Sequence, residues 1–190
     1  AASCDQLVQR AGNTSGPAVA KTYAMLIDCD RTIAAANFEP FMRAANDVET
    51  LLDLAMTSIG KEVYEPVWYL LDNIGDYEIR DEVAKGVGAQ CASPGVLAFM
   101  QGAYFGVRAR QFAQWREAFL TCESDDLVSW LEATTAKPPS STFDDKYNTV
   151  VDAYVRNRRT QALGTLETAA IAAGNGGGPF SVIVDKMQES

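Results

Sequence analysis

The sequence predicts an all-α protein built of stacked antiparallel helical hairpins. Three observations predict it. Apolar residues recur at i, i+3, i+4 and i+7 in segment after segment, the period of a helix face. The segments run about 10–15 residues and are divided by Gly, Asp or Pro, the residues that start and stop helices. Strand signals are scarce, with "FSVIV" near the C-terminus as the exception.

The segments can be justified in order. In "DVETLLDLAMTSIG", Val48, Leu51, Leu52, Ala55 and Ile59 share one face; Asp47 is placed to cap the free N–H groups and Gly60 to close the helix in a left-handed conformation. In "KEVYEPVWYLLDNIG" the stripe is Val67, Leu70, Leu71 and Ile74, and Pro66 is tolerated only in a first turn, so the helix starts near Glu65 and ends at Gly75. Asp76 caps the next helix, whose apolar line is Ile79, Val83 and Val87; Arg80, Asp81, Glu82 and Lys85 fall off that line and are expected in solvent. Pro94 restarts the chain, and the run to Val107 is apolar nearly all round, which predicts the most buried helix. Phe112, Trp115 and Phe119 mark a further helix, and Leu127, Trp130 and Leu131 a shorter one.

"KPPSST", residues 137–142, is the clearest break, because adjacent prolines cannot both sit inside a helix. After it Phe143, Tyr147, Val150, Val151 and Tyr154 form a stripe. "RRTQALGTLETAAIAAG" reads as a separate helix, "NGGGP" as a turn, and a last helix follows from Pro179. The chain of 190 residues is expected to form one domain, 1–190, with a sub-boundary at 137–142.

The segment "PVWYLLDNIGDYEIRDEVAKGVGAQ", residues 66–90, resembles a HEAT-type repeat: an apolar first helix, a tight acidic turn, then an Ile–Arg pair opening a second helix that ends in small residues. Asp76, Ile79, Arg80, Ala84 and Gly88 occupy the positions of that pattern. The resemblance implies an α-solenoid in which Asp76 and Arg80 join neighbouring hairpins by hydrogen bonds. An irregular helical bundle is the alternative architecture.

Composition narrows function. A hydrophobic fraction of 47% and a charged fraction of 22% are ordinary for a globular chain. A net charge of −9 and a pI near 4.5 argue against nucleic acid and anionic membranes, and point to a protein partner with a basic surface. The nearest candidate for a phosphate-binding cluster, Arg156, Arg158 and Arg159, reads as a solvated helix end. No stretch approaches the roughly 18 apolar residues of a membrane span. The opening "AASC" has the small residues found after signal-peptide cleavage and a loose likeness to a lipobox.

Four cysteines without a CxxC, and no histidine, disfavour zinc. Their spacing favours Cys4 with Cys29 and Cys91 with Cys122, each pair enclosing a two-helix unit. Loops of this size contribute about 3–4 kcal/mol in the chain-entropy model. Disulfides in turn imply a secreted or periplasmic location.

Catalytic signatures are missing. The absence of histidine removes the commonest general base and its nucleophile pairs. The carboxylate pairs Asp28/Asp30, Asp125/Asp126 and Asp144/Asp145 lie at expected helix ends, where capping accounts for them. "DCDRTIAAANFE" has acids spaced like a calcium loop, but lacks its glycine and its central oxygens. Gly86 and Gly88 are expected to serve tight helix packing, and Trp68, Tyr104, Phe105 and Trp115 the core. The expected function is therefore a non-catalytic, exported protein-binding or scaffold module without cofactor or metal, one version being an inhibitor or immunity-like protein. The alternatives are a carboxylate-dependent hydrolase of glycans, with two acids across a cleft, and a carrier of a small apolar ligand.

Overall fold

A computed structural model describes residues 2–106, 113–137, 139 and 144–161. The protein is all-α, with no strand among the described residues. The chain divides into two compact units, residues 1–87 and 88–190. The Pro/Ser segment 137–142 falls within the second, and residues 138 and 140–142 lie outside those described.

The first unit opens with α1 (Cys4–Arg10), whose N-cap Ser3 and third residue Gln6 form a reciprocal capping box, and a 3-10 turn at Ala11–Asn13. Gly16 takes a positive φ of 58° to turn the chain into α2 (Pro17–Cys29). Two short helices follow, α3 (Arg31–Ala36) and α4 (Phe38–Ala44). Then come α5 (Val48–Gly60), α6 (Glu65–Asn73) and α7 (Tyr77–Ala89).

Helix α2 is the centre of this unit, packed by α1, α3, α4 and α5. Its fully buried Tyr23 meets Phe38 edge-on at 5.3 Å and Phe41 at 5.0 Å, pair geometries that add about 0.5–1.5 kcal/mol beyond burial.

Asp47 caps α5 as expected, its Oδ1 accepting from the Thr50 N–H at 2.8 Å. The other end corrects the sequence reading. Gly60 remains helical, and the left-handed residue is Glu62, φ 57°. The Glu62 N–H donates to the Ile59 carbonyl at 2.9 Å and the Val63 N–H to the Ser58 carbonyl at 2.9 Å, the two bonds of a Schellman motif. Val63, three residues beyond the glycine, is tucked inward, and the left-handed position falls on Glu62 before it. The α5 face also differs: Leu54 is fully buried and Leu52 half-buried.

Helix α6 begins at Glu65 and buries Val67, Leu70 and Leu71, with Ile74 buried just past its end. It stops at Asn73, short of Gly75. On α7 the line Val83 and Val87 is buried, but Arg80 is not in solvent: its side chain is only 15% exposed. The Tyr77 ring, 4.7 Å from the guanidinium, and Asp81, 3.6 Å away, cover it. Gly86 sits against Leu52 of α5, where an added Cβ would lie 2.6 Å from Leu52 Cδ2.

The second unit comprises α8 (Pro94–Gly106), a 3-10 turn (Ala113–Trp115), α9 (Arg116–Thr121), α10 (Asp125–Thr135) and α11 (Asp145–Gln161). Helix α11 packs on α9 and α10. Trp115, Phe119, Leu127, Leu131, Val150 and Val151 are almost wholly buried. Within the second unit Gly88 lies backbone to backbone against Ala118, since a Cβ there would lie 2.3 Å from the Ala118 carbonyl oxygen. The tight-packing role expected of both glycines is thus visible.

Two expectations change here. Helix α8 is not buried all round: Val96, Phe99, Met100 and Ala103 are, whereas Phe105 is 73% exposed. Arg158 to Gln161 continue α11 rather than starting a new helix. Val107, Phe112, Phe143 and the elements expected beyond residue 161 lie outside the described residues.

Both cysteine pairs are bridged. Cys4–Cys29, with Cα atoms 5.8 Å apart, ties the start of α1 to the end of α2. Cys91–Cys122, at 5.7 Å, ties the turn before α8 to the end of α9. These bridges fit an oxidising environment. No helix of the described residues is long and apolar enough to cross a membrane.

Candidate functional site

The site with the most convergent chemistry is a cleft of about 710 Å³ in the first unit, lined by α3 and by the turn from α5 to α6. Ala35, Ala36 and Val63 supply apolar surface, and Arg31, Thr32, Glu62, Tyr64 and Glu65 supply polar groups.

The sequence builds each wall separately. Cys29 ends α2, and Asp30 immediately caps α3, its Oδ1 accepting from the Ile33 N–H at 3.0 Å. That cap turns Arg31 and Thr32 outward on the first turn of α3. The far side of α3 is held by Tyr23, whose hydroxyl donates to the Ala34 carbonyl at 3.1 Å. Burial pushes the Tyr23 phenol well above its ordinary pKa, and the nearby Ser58 hydroxyl draws it back slightly. The Ser58 side chain is fully buried, and its Oγ makes no hydrogen bond of good geometry.

The opposite wall is the Schellman turn, which presents Glu62 from a left-handed backbone. Lys61 fastens this turn to the Asp28–Arg31 corner at both ends. Its carbonyl accepts from the Arg31 guanidinium, and its ammonium pairs with Asp28 at 2.6 Å. The corner is in turn anchored to α1 through Cys29. A loop and a helix start, thirty residues apart in sequence, are thus held in one arrangement.

Glu62 and Glu65 bring two carboxylates to this cleft, both exposed to solvent. The three carboxylate pairs marked in the sequence do other work. Asp28 pairs with Lys61 and Asp30 caps α3. Ser124, rather than an aspartate, caps α10, with Asp125 and Asp126 in its first turn. Asp144 caps α11 through the Lys146 and Tyr147 N–H groups at 2.9 and 3.3 Å. Among the described residues no three Cys, Asp or Glu side chains converge as metal ligands would.

The chain matches no protein-family model, no curated protein and no solved structure.

Of the site residues expected from sequence, Asp76 caps its own helix, accepting from the Glu78 and Ile79 N–H groups at 2.9 and 3.2 Å. Arg80 meets Tyr77 and Asp81, both on α7, and leaves its buried Nε without a hydrogen bond. In the arginine group, Arg158 pairs with Glu132, which also accepts from the Tyr154 hydroxyl at 3.3 Å. Sequence reasoning did not find Arg31, Lys61 or Glu62. The available signal was "IGKEV", where a glycine, a lysine and a buried valine follow a helix.

In the second unit an aromatic group surrounds Trp130. Tyr104 lies 5.6 Å away edge-on, Phe105 at 6.2 Å edge-on, and Phe119 stacks at 6.0 Å. Burial, and secondarily Asp144, raise the Tyr104 phenol pKa. Trp115 joins the core as expected, while Phe105 does not.

Proposed function

We propose that this chain is an exported, non-catalytic module that binds another protein through the cleft between α3 and the Lys61–Glu65 turn. The observation that carries the reading is the double attachment of Lys61, by its carbonyl to Arg31 and its ammonium to Asp28. A binding surface gains affinity when its loops are already ordered, because little entropy is then lost on association. A non-glycine residue held at positive φ beside a cleft points the same way, since backbone strain persists where the surroundings impose it and clusters at binding sites.

Two further features support the reading. The paired bridges favour a secreted or periplasmic setting. The chain's charge of −9 favours a partner with a basic surface. The helix–turn–helix of α6 and α7 supports a HEAT-like stack of hairpins as the scaffold. An inhibitor or immunity-like role, blocking a secreted enzyme, is the specific version in keeping with a rigid, bridged body.

The test is capture from an extracellular or periplasmic fraction at physiological salt, comparing the native chain with Ala36→Trp, which fills the cleft. The expected result is a discrete partner retained by the former and lost with the latter. Recovery of no partner, or equal recovery by both, would overturn the proposal.

A further inference from the structure

We propose that Cys4–Cys29 is a thiol–disulfide exchange site, at which an external dithiol opens the N-terminal clasp while Cys91–Cys122 stays closed. The two bridges differ in access. Cys29 is exposed and Cys4 half-buried, whereas Cys91 is 2% and Cys122 0% exposed. Exchange needs a thiolate to reach a disulfide sulfur, so rate follows access as well as thiolate character.

The step is balanced as follows. One thiolate of the dithiol attacks Cys29 Sγ. The Cys4–Cys29 bond breaks with its electron pair going to Cys4, which takes a proton from water, leaving a mixed disulfide on Cys29. The second thiol of the reagent, deprotonated, attacks its own sulfur in that mixed disulfide and releases Cys29, which is protonated in turn. The dithiol departs as a cyclic disulfide, and two electrons have passed to the bridge.

Opening has a local consequence. Helix α1 has seven residues, too few to persist by itself. Its single buried side chain is Leu7, followed by Ala11 in the next turn. With the bridge open, the burial of Leu7 and Ala11 is left to hold α1 on α2, because the Ser3–Gln6 capping box is internal to α1. The clasp therefore loosens, and the corner that carries Asp28 and Asp30 loses its tie to α1.

Charge selects the reagent. Asp5, Asp28 and Asp30 each neighbour one of the two cysteines along the chain. Among the described residues, only Asp28 of the three has a cationic side chain paired to it, Lys61. Cationic thiols, or a thiol on a basic protein surface, are favoured over anionic ones.

The experiment treats the oxidised, folded chain of 190 residues with limiting dithiothreitol, traps thiols with N-ethylmaleimide and maps the labelled peptides by mass. Cys4 and Cys29 should be trapped at least about tenfold faster than Cys91 and Cys122 without denaturant. Hydrogen exchange should rise over residues 2–13 and stay unchanged over 94–106. The double variant Cys4→Ser/Cys29→Ser should reproduce that exchange pattern without reductant. Cysteamine should outpace mercaptoethanesulfonate by about threefold at low salt, each normalised to its rate with a neutral disulfide. Equal trapping of both bridges, or prior trapping of Cys91 and Cys122, overturns the proposal. Unchanged exchange over 2–13 removes the clasp, and equal or reversed thiol rates remove the charge selection.

Discussion

The Tyr23 hydroxyl donates to the carbonyl of Ala34 at 3.1 Å, joining the buried centre of α2 to the helix that walls the cleft. The bond runs from a fully buried aromatic group of the first unit to within one residue of the cleft-lining Ala35. Core packing and cleft geometry are therefore mechanically connected.

Tyr23→Phe keeps the ring and removes the donor, leaving the Ala34 carbonyl buried without it. A loss of about 1–2 kcal/mol is expected in urea unfolding, with faster amide exchange in α3. The pH dependence follows from the raised phenol pKa. A group whose folded pKa lies above its unfolded value contributes stability in full below the unfolded value, near 10 for tyrosine. Above about pH 10 that contribution falls away as the phenol of the unfolded chain ionises first. The slope above pH 10 should be shallower in Tyr23→Phe, though not flat, because burial also raises Tyr104, Tyr147 and Tyr154.

The two close-approach glycines should respond differently to alanine. At Gly86 the obstacle is the far end of the Leu52 side chain, which can rotate, and helix propensity returns about 1 kcal/mol, so Gly86→Ala should be nearly neutral. At Gly88 the obstacle is the Ala118 backbone, which cannot. Gly88→Ala should cost at least about 2 kcal/mol by calorimetry; equal effects at the two sites would refute this packing.

Asn157, 1% exposed, donates through Nδ2 to the Cys122 carbonyl at 3.0 Å and the Ala153 carbonyl at 2.9 Å, and accepts from the Ser124 N–H at 3.4 Å. It fixes the α9–α10 junction beside the second bridge. Asn157→Ala should cost about 2–4 kcal/mol, the loss of several buried bonds. Asn157→Asp should be worse at neutral pH and recover on acidification, because burial raises the carboxyl pKa and only the neutral form is tolerated. Unfolding midpoints at pH 4 and pH 7 check the order.

Glu62→Gly should relieve the left-handed backbone, which costs a non-glycine residue about 1–2 kcal/mol. The greater freedom of glycine in the unfolded chain offsets up to about 1 kcal/mol of that. A small net gain in stability is expected, and Glu62→Val, branched at Cβ, should lose stability.

The helices were largely legible because their signals are local. Asp47, Pro66, Asp76 and Pro94 mark helix starts by chemistry that acts within one turn. The cysteines were legible because each pair is close in sequence and encloses helices. Legibility failed where contacts outside the apolar period decide the outcome. Arg80 has the charge of a surface residue, yet Tyr77 and Asp81 cover it. Phe105 sits in an apolar run that buries Phe99, Met100 and Ala103, but is itself exposed. Gly60 looked like the helix stop because glycine favours positive φ, whereas the burial of Val63 moved the turn to Glu62. The cleft was invisible because it is assembled from residues 31–36 and 62–65, which share no periodicity.

The Schellman turn bears on resistance to proteolysis. Trypsin cuts after lysine only when it can draw several flanking residues into an extended strand. The Lys61–Glu62 bond is bent left-handed, and the N–H groups of Lys61, Glu62 and Val63 are all engaged. A basic residue near the surface is therefore withheld from digestion by the shape of its own backbone.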